Sequence, residues 1–122
     1  MMDICIVSHS EKIAEGLKEL LSQMAAGVNV RTAGGIDGEI GTSVDRIIEM
    51  FDSVEGEALC FYDIGSSQMN AEMAVEMNDY QNITIVHAPL VEGAFLASVE
   101  IKVGKSKEEI IASLKENFKE KA

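Results

Sequence analysis

A histidine stands between two hydroxyl side chains near the start of the chain, where an apolar run breaks off. The run from Ile4 to Val7 is followed at once by Ser8, His9 and Ser10, and apolar residues at helical spacing begin directly afterwards. An imidazole is a competent nucleophile near neutral pH. We therefore take His9 as the first candidate for group-transfer chemistry.

Three further segments place glycines and polar residues at the ends of apolar runs. The glycine-rich stretch GGIDGEIGTS covers residues 34–43, Asp63 ends the third apolar run, and His87 follows the fourth. If the runs are parallel strands, their carboxyl ends meet at one edge of the sheet, where ligands bind in open α/β folds. Each feature alone is commonly structural, since such residues form turns and caps. Their convergence on one edge favours a functional site.

The combination favours transfer of a phosphoryl group through a phosphohistidine. A carboxylate on one ring nitrogen fixes the histidine tautomer and frees the other nitrogen to attack. Asp63 is thus predicted to orient His9, and the phosphoryl group is expected on the nitrogen not bonded to Asp63. Amides at helix N-termini and in glycine loops bind phosphoryl oxygens, and hydroxyls add donors. The residues predicted to bind the phosphoryl group are Ser10, Gly41, Thr42, Ser66 and Ser67.

Other chemistries fit the motifs less well. The glycine-rich stretch matches neither GxxxxGK[ST] nor GxGxxG, so it predicts neither a P-loop nor a dinucleotide site. No GxSxG elbow occurs. The two histidines, His9 and His87, make no metal-binding spacing with cysteine, and no metal site is predicted. A receiver domain has the same size, but Ser8, His9 and Ser10 occupy the place of its acidic pair.

The elements that must position these residues follow from the hydrophobic periodicity. Strands are predicted over 2–7, 28–33, 57–63 and within 82–90, with the second strand at a half-exposed edge because apolar and polar residues alternate in it. Helices separate the strands, and a capping box at 106–109 opens a last helix. Residues 97–104 fit a helix or a strand. The order βαβαβαβαα predicts one α/β domain over 1–122, a three-layer αβα open sheet, mostly parallel, with strand order 2-1-3-4.

Composition limits the partners and the compartment. The formal net charge is −11, which disfavours nucleic acid and anionic membranes and favours a basic protein partner. Cys5 and Cys60 lie in apolar runs without a CxxC spacing, so buried reduced thiols are expected. No signal peptide or membrane-spanning run is evident, and a cytoplasmic location is expected. Met69, Met73 and Met77 are predicted as core packing of the third helix rather than as a copper site.

With these residues placed, the sequence strongly resembles a known family. It is similar to the phosphotransfer subunits of phosphoenolpyruvate-dependent dihydroxyacetone kinases, which belong to the mannose-type IIA group of the sugar phosphotransferase system. The stretches that carry the resemblance are IVSHSEKIAEGL, AGGIDGEIGTSVDRI, YDIGSSQMNAEMA and APLVEGAF, between residues 4 and 95. The glycine loop and APLVEGAF point to the dihydroxyacetone branch, whereas the histidine after the first strand is shared more widely.

The resemblance implies a mechanism and partners. The phosphocarrier protein HPr passes a phosphoryl group to the residue corresponding to His9, which passes it to ADP held on a separate nucleotide-binding subunit. The ATP formed there phosphorylates dihydroxyacetone on a third subunit. No cofactor is expected on this chain itself, because ADP and ATP stay on the partner. The resemblance also implies a homodimer of open α/β domains.

Other expectations concern docking and the alternatives. Gly34, Gly35 and Gly38 are predicted to face the partner, because they remove side chains beside His9. Some relatives carry additional domains resembling HPr, and this chain is expected to rely on a separate donor. His87 matches no catalytic position. Two alternatives stay open: a IIA component of a mannose- or sorbose-type permease, and a regulatory module that binds a partner without catalysis.

Overall fold

Four parallel strands form the centre of the molecule. The structure, a computed structural model, describes residues 1–118, so the last four residues of the predicted domain lie outside it. The strands are β1 (Asp3–Ser8), β2 (Val30–Gly34), β3 (Ala58–Tyr62) and β4 (Ile83–Ile85). Their spatial order is β2-β1-β3-β4 and every pairing between them is parallel. The predicted fold class and strand order are confirmed.

Five helices cover the two faces of this sheet. They are α1 (Glu11–Met24), α2 (Val44–Asp52), α3 (Gly65–Asn78), α4 (Leu90–Lys102) and α5 (Lys107–Phe118). Ile4 and Ile6 of β1 pack with α1, α4 and α5, whereas Cys5 and Val7 pack with α2 and α3. β1 is apolar on both faces because each face is covered by helices. Within the described residues, no helix is long and apolar enough to span a bilayer.

The edge strand β2 begins two residues later than predicted. Val30 is buried, while Asn29 is exposed and Arg31 is partly exposed. The Arg31 guanidinium donates from Nε to Asp3 Oδ2 at 2.7 Å, which ties the edge strand to the start of β1. The alternating pattern therefore does mark the edge of the sheet.

The fourth strand lies within the 82–90 segment, as predicted, and occupies only Ile83–Ile85 of it, and the helix α4 begins at Leu90. Pro89 has no backbone N–H to give to a ladder, and it stands at the N-cap of α4. Small residues on this helix let it approach the sheet, since a Cβ added at Gly93 would lie 3.3 Å from Phe61 Cε2. Residues 97–102, where Val99 and Ile101 alternate like a strand, are part of α4, with Ala97 and Ile101 buried.

The prediction that the methionines of the third helix pack in the core is wrong. Met69, Met73 and Met77 are 67%, 48% and 61% exposed. The buried residues of α3 are Ser67, Ala71 and Ala74. Because these side chains are short, the helix lies close to the sheet, and its long apolar side chains are on the solvent side.

Candidate functional site

The site lies where β1 and β3 end side by side. Val7 is paired with Tyr62, and the Asp63 N–H donates to the Val7 carbonyl at 3.2 Å. The residues that follow the two strands, His9 and Asp63, are therefore brought together by the parallel register itself. Ser10 caps α1 through its hydroxyl, which accepts from the Ile13 N–H at 3.2 Å.

The Asp63 carboxylate is surrounded by donors. Oδ1 accepts from His9 Nδ1 at 3.0 Å, from the Ile64 N–H at 2.7 Å and from Ser67 Oγ at 2.8 Å. Oδ2 accepts from the His9 N–H and from Ser8 Oγ, both at 2.9 Å. Partial burial raises the pKa of Asp63, but the hydrogen bonds from His9, Ser67 and Ile64 outweigh it and lower that pKa to about 2. Asp63 is thus ionised at neutral pH.

The ionised carboxylate fixes the tautomer of the neutral histidine. A carboxylate only accepts hydrogen bonds, so His9 Nδ1 carries the ring proton and Nε2 carries the lone pair. Ser66 Oγ lies 2.5 Å from Nε2 and therefore donates to it. The His9 side chain is 17% exposed, and the Ser66 hydroxyl lies over its Nε2.

The glycine-rich stretch is a tight turn braced against this site. Ile36 and Glu39 form a short antiparallel bridge, and the two residues between them, Asp37 and Gly38, have φ of 49° and 83°. Positive φ at both central positions is the pattern of a type I′ turn. The turn is attached to the segment that follows β1, because the Gly41 N–H donates to the His9 carbonyl at 2.8 Å.

Two of the three glycines predicted to face a partner do not do so. Gly34 is buried, and a Cβ there would lie 2.9 Å from both Ala14 Cβ and the Ser10 carbonyl oxygen. Gly35 is also buried, with φ of 69° and its N–H bonded to the Ser8 carbonyl at 3.1 Å. Gly34 permits the close packing of β2 against α1, whereas a Cβ at Gly35 would lie 2.8 Å from the Glu39 carbonyl oxygen across the turn. Gly38 is exposed at the tip of the turn with open space around it.

The predicted phosphoryl-binding residues differ in what they can reach. Ser67 is fully buried and supports Asp63 from inside, so its assignment to the phosphoryl group is wrong. The Gly41 amide is already used by the His9 carbonyl. The Thr42 hydroxyl accepts from Asn70 Nδ2 at 2.5 Å and keeps its own proton to donate. Ser66 is the hydroxyl that the structure places on His9 Nε2.

Two residues of the site were not among the predicted ones. Ser8 is fully buried, donates to Asp63 and accepts from the Ser10 N–H at 3.0 Å, so it links β1, β3 and the first turn of α1. The sequence pattern that could have identified Ser8 is strand alternation, which places it on the same buried face as Ile4 and Ile6. Asn70 holds the Thr42 side chain by a hydrogen bond. Asn70 could have been identified from its spacing of four residues from Ser66, which places both on one face of the helix.

His87 is apart from this network. Its Nδ1 lies 2.8 Å from the Tyr62 hydroxyl, the two rings meet edge to face at 5.8 Å, and the imidazole is exposed. No hydrogen bond joins His87 to His9 or Asp63 within residues 1–118. The geometry therefore orients one imidazole, that of His9, near the surface. The ionised Asp63 carboxylate beside it can stabilise the positive charge of a ring substituted at Nε2.

Comparison with known proteins links this geometry to phosphoryl transfer. The family model for the PTS system fructose IIA component matches residues 3–111. The chain is 41% identical over 120 residues to the phosphotransferase subunit DhaM of a PTS-dependent dihydroxyacetone kinase from Lactococcus lactis, covering 97% of both chains. It is 40% identical over 121 residues to the phosphoryl donor subunit DhaM of the PEP-dependent dihydroxyacetone kinase 2 of Listeria innocua, covering 93% of this chain and 97% of that one.

A longer relative and two solved structures complete the comparison. The DhaM protein of Escherichia coli is 33% identical over 121 residues, and the match covers 91% of this chain and 26% of that protein. A crystal structure of a protein of unknown function superposes with a TM-score of 0.86 at 33% identity, covering 95% of each chain. A sigma-54 interaction domain protein from Enterococcus faecalis, at 14% identity and a TM-score of 0.72, shares the fold; 98% of this chain and 91% of that one are covered.

Proposed function

The chain belongs to the family of PTS fructose IIA components, within its branch of dihydroxyacetone kinase phosphoryl donor subunits, and from this premise we propose that it carries a phosphoryl group on His9 from HPr to ADP. The ADP is held by a separate nucleotide-binding subunit, and the ATP formed there phosphorylates dihydroxyacetone. The chain is a carrier that is itself covalently modified. A homodimer is part of the proposal, and light scattering of the purified chain tests it.

The observation that carries the proposal is the pairing of His9 with Asp63. The Nδ1–Oδ1 bond of 3.0 Å leaves Nε2 with its lone pair at the surface. In the first step a bond forms between Nε2 and phosphorus while the donor's N–P bond breaks. In the second step the Nε2–P bond breaks and a β-phosphate oxygen of ADP forms the new bond. The ring is cationic between the two steps, and the adjacent carboxylate stabilises that charge.

Ser66 changes partner during this cycle. In the free chain its hydroxyl covers Nε2 at 2.5 Å, so it must leave that nitrogen when phosphorus arrives. A hydroxyl released at this position is close enough to donate to a phosphoryl oxygen instead. Ser66 therefore protects the lone pair of the free carrier and stabilises the charge of the loaded carrier.

The direct experiment is phosphorylation by the general phosphotransferase proteins. Incubation with phosphoenolpyruvate, the first phosphotransferase enzyme and HPr is expected to place one acid-labile, base-stable phosphate on the chain. His9→Ala should remove it, and His87→Ala, the matched control on the other histidine, should retain it. Labelling of the His9→Ala variant at the wild-type rate would refute the assignment.

A sugar-permease IIA component is the second candidate, because the matching family model is described by the fructose system. The two candidates differ in their acceptor. Addition of the ADP-loaded nucleotide-binding subunit of a dihydroxyacetone kinase should discharge the phosphorylated chain and form ATP. Discharge only by a membrane permease fraction would favour the second candidate.

A further inference from the structure

Two isoleucines beside His9 are exposed to an unusual degree. The side chains of Ile40 and Ile64 are 76% and 62% exposed, and neither belongs to the two buried clusters on the faces of the sheet. Each is fixed next to the site by a hydrogen bond. The N–H that follows Ile40 binds the His9 carbonyl at 2.8 Å, and the Ile64 N–H binds Asp63 Oδ1 at 2.7 Å.

The apolar surface continues along one helix. Ile64 is the N-cap of α3, and Met69 and Met73 lie further along that helix with 67% and 48% of their surface exposed. Unbranched methionine side chains adapt to differently shaped partners. We call Ile40 and Ile64 the collar, and it stands on the two loops that flank the reactive nitrogen.

The charges around the collar favour one kind of occupant. Residues 34–43 and 64–78 contain no lysine or arginine, and their charged residues are Asp37, Glu39, Glu72 and Glu76. A symmetric contact between two copies would place acidic residues of one copy against those of the other. A protein site that holds a nucleoside diphosphate instead presents positive potential, from cationic side chains, helix N-termini or bound Mg²⁺. The ADP-bearing acceptor therefore complements this surface.

We propose that the collar seals the phosphoryl group from water when the ADP-bearing acceptor docks on His9. This inference rests on the proposed function. Transfer breaks the Nε2–P bond and makes a bond from phosphorus to ADP oxygen, whereas hydrolysis makes the bond to water oxygen and releases inorganic phosphate. Excluding water from the joined site suppresses the second route. The collar thus determines how the phosphoryl group divides between ADP and water.

The test compares Ile40→Ser, Ile64→Ser and the double variant with wild type. Each chain is phosphorylated first, and then mixed with the ADP-loaded acceptor while ATP and inorganic phosphate are measured together. Each isoleucine is buried only in the docked complex, and its loss is expected to weaken docking about tenfold. The ratio of inorganic phosphate to ATP should rise in the double variant. Without the acceptor, the phosphorylated chain should be hydrolysed at the same rate in wild type and variant, because the phosphoryl group is open to water in both.

Met24→Ser is the matched control, because Met24 is 56% exposed at the other end of α1. It should behave as wild type in every assay. Ile40→Ser and Met24→Ser should unfold thermally with wild type, since those side chains are largely outside the core. Ile64→Ser places a capping hydroxyl at the N-cap of α3, so it and the double variant should unfold at or above the wild-type temperature.

The outcomes separate the two proposals. A wild-type chain that is not phosphorylated on His9, or does not discharge to ADP, refutes the proposed function. A wild-type chain that transfers normally, with a double variant of equal affinity and equal phosphate-to-ATP ratio, refutes the collar alone. Equal slowing of phosphorylation by HPr and of transfer to ADP overturns the assignment of the collar to the acceptor.

Discussion

Asp63→Asn is the substitution that most directly tests how the site works. The variant keeps the shape of the side chain and replaces one accepting oxygen by an NH₂ group. In the wild type, both oxygens face main-chain donors that cannot reverse: the Ile64 N–H on Oδ1 and the His9 N–H on Oδ2. Whichever side the NH₂ group takes, it meets one of these donors.

The two orientations have calculable consequences. Either one removes at least one hydrogen bond between a main-chain N–H and a charged acceptor, which costs about 1.5–3 kcal/mol in the free energy of unfolding. With NH₂ in the Oδ1 position, His9 Nδ1 must also become the acceptor, so the ring proton moves to Nε2 and the nucleophilic lone pair is lost. By analogy with other histidine–carboxylate pairs, the wrong tautomer lowers the rate by up to ~10⁴.

Two measurements check this prediction. Quench-flow phosphorylation by HPr gives the rate, and urea unfolding gives the stability, with the exposed Asp37→Asn variant as a control for the lost charge. The lowered pKa of Asp63 adds a pH signature, because stability from the ionised group is present above its ordinary pKa of 3.8 and is lost as pH falls through about 2. Asp63→Asn should lack that acid loss. A variant that is phosphorylated at the wild-type rate would reduce Asp63 to a turn residue.

Three further predictions follow from particular contacts. Gly34→Ala should lower the unfolding free energy measured in urea, because the added Cβ meets two backbone atoms and a side chain at 2.9 Å, whereas a loosely packed position would tolerate it. Burial raises the pKa of Cys5 to about 12 and that of Cys60 well above its usual value, so a thiol reagent should label neither in the native protein and both in urea. Reversal of both Asp37 and Glu39 to lysine should slow docking on a basic acceptor and reduce the salt dependence of the docking rate in stopped-flow. Equal docking rates for wild type and the double reversal, at both low and high salt, would exclude an electrostatic role of this loop.

The strand order could be predicted because patterning and topology gave the same answer. β1 and β3 are apolar on both faces, β2 alternates, and right-handed crossovers leave few arrangements of four parallel strands. The end of β4 could not be predicted, because nothing in the short apolar run before Pro89 indicates the residue at which hydrogen bonding to β3 stops. Periodicity also left 97–104 open, since Val99, Ile101 and Val103 fit two repeats equally.

The sequence was sufficient to predict which residues of the site lie close together. It was not sufficient to predict which of their donors and acceptors are already used in hydrogen bonds within the fold. His9 and Asp63 were placed together by strand ends alone. Whether a glycine faces a partner depends on the packing of α1 against β2, which no local pattern encodes at Gly34 or Gly35. Likewise, two adjacent serines at the start of α3 look equivalent in the sequence, yet the 100° turn between neighbours on a helix buries Ser67 and leaves Ser66 on the reactive nitrogen.

The methionines of α3 show why hydrophobicity and burial separate at a docking surface. A helix that packs on a sheet through Ser67, Ala71 and Ala74 can approach closely, because short side chains leave little space to fill. Long apolar side chains at the remaining positions then have no place inside. Keeping Met69 and Met73 on the outside exposes apolar area to water, a cost that the docking proposed above would relieve. An apolar repeat on a helix that also carries regularly spaced small residues is therefore ambiguous in sequence, and the small residues, not the large ones, mark the buried face.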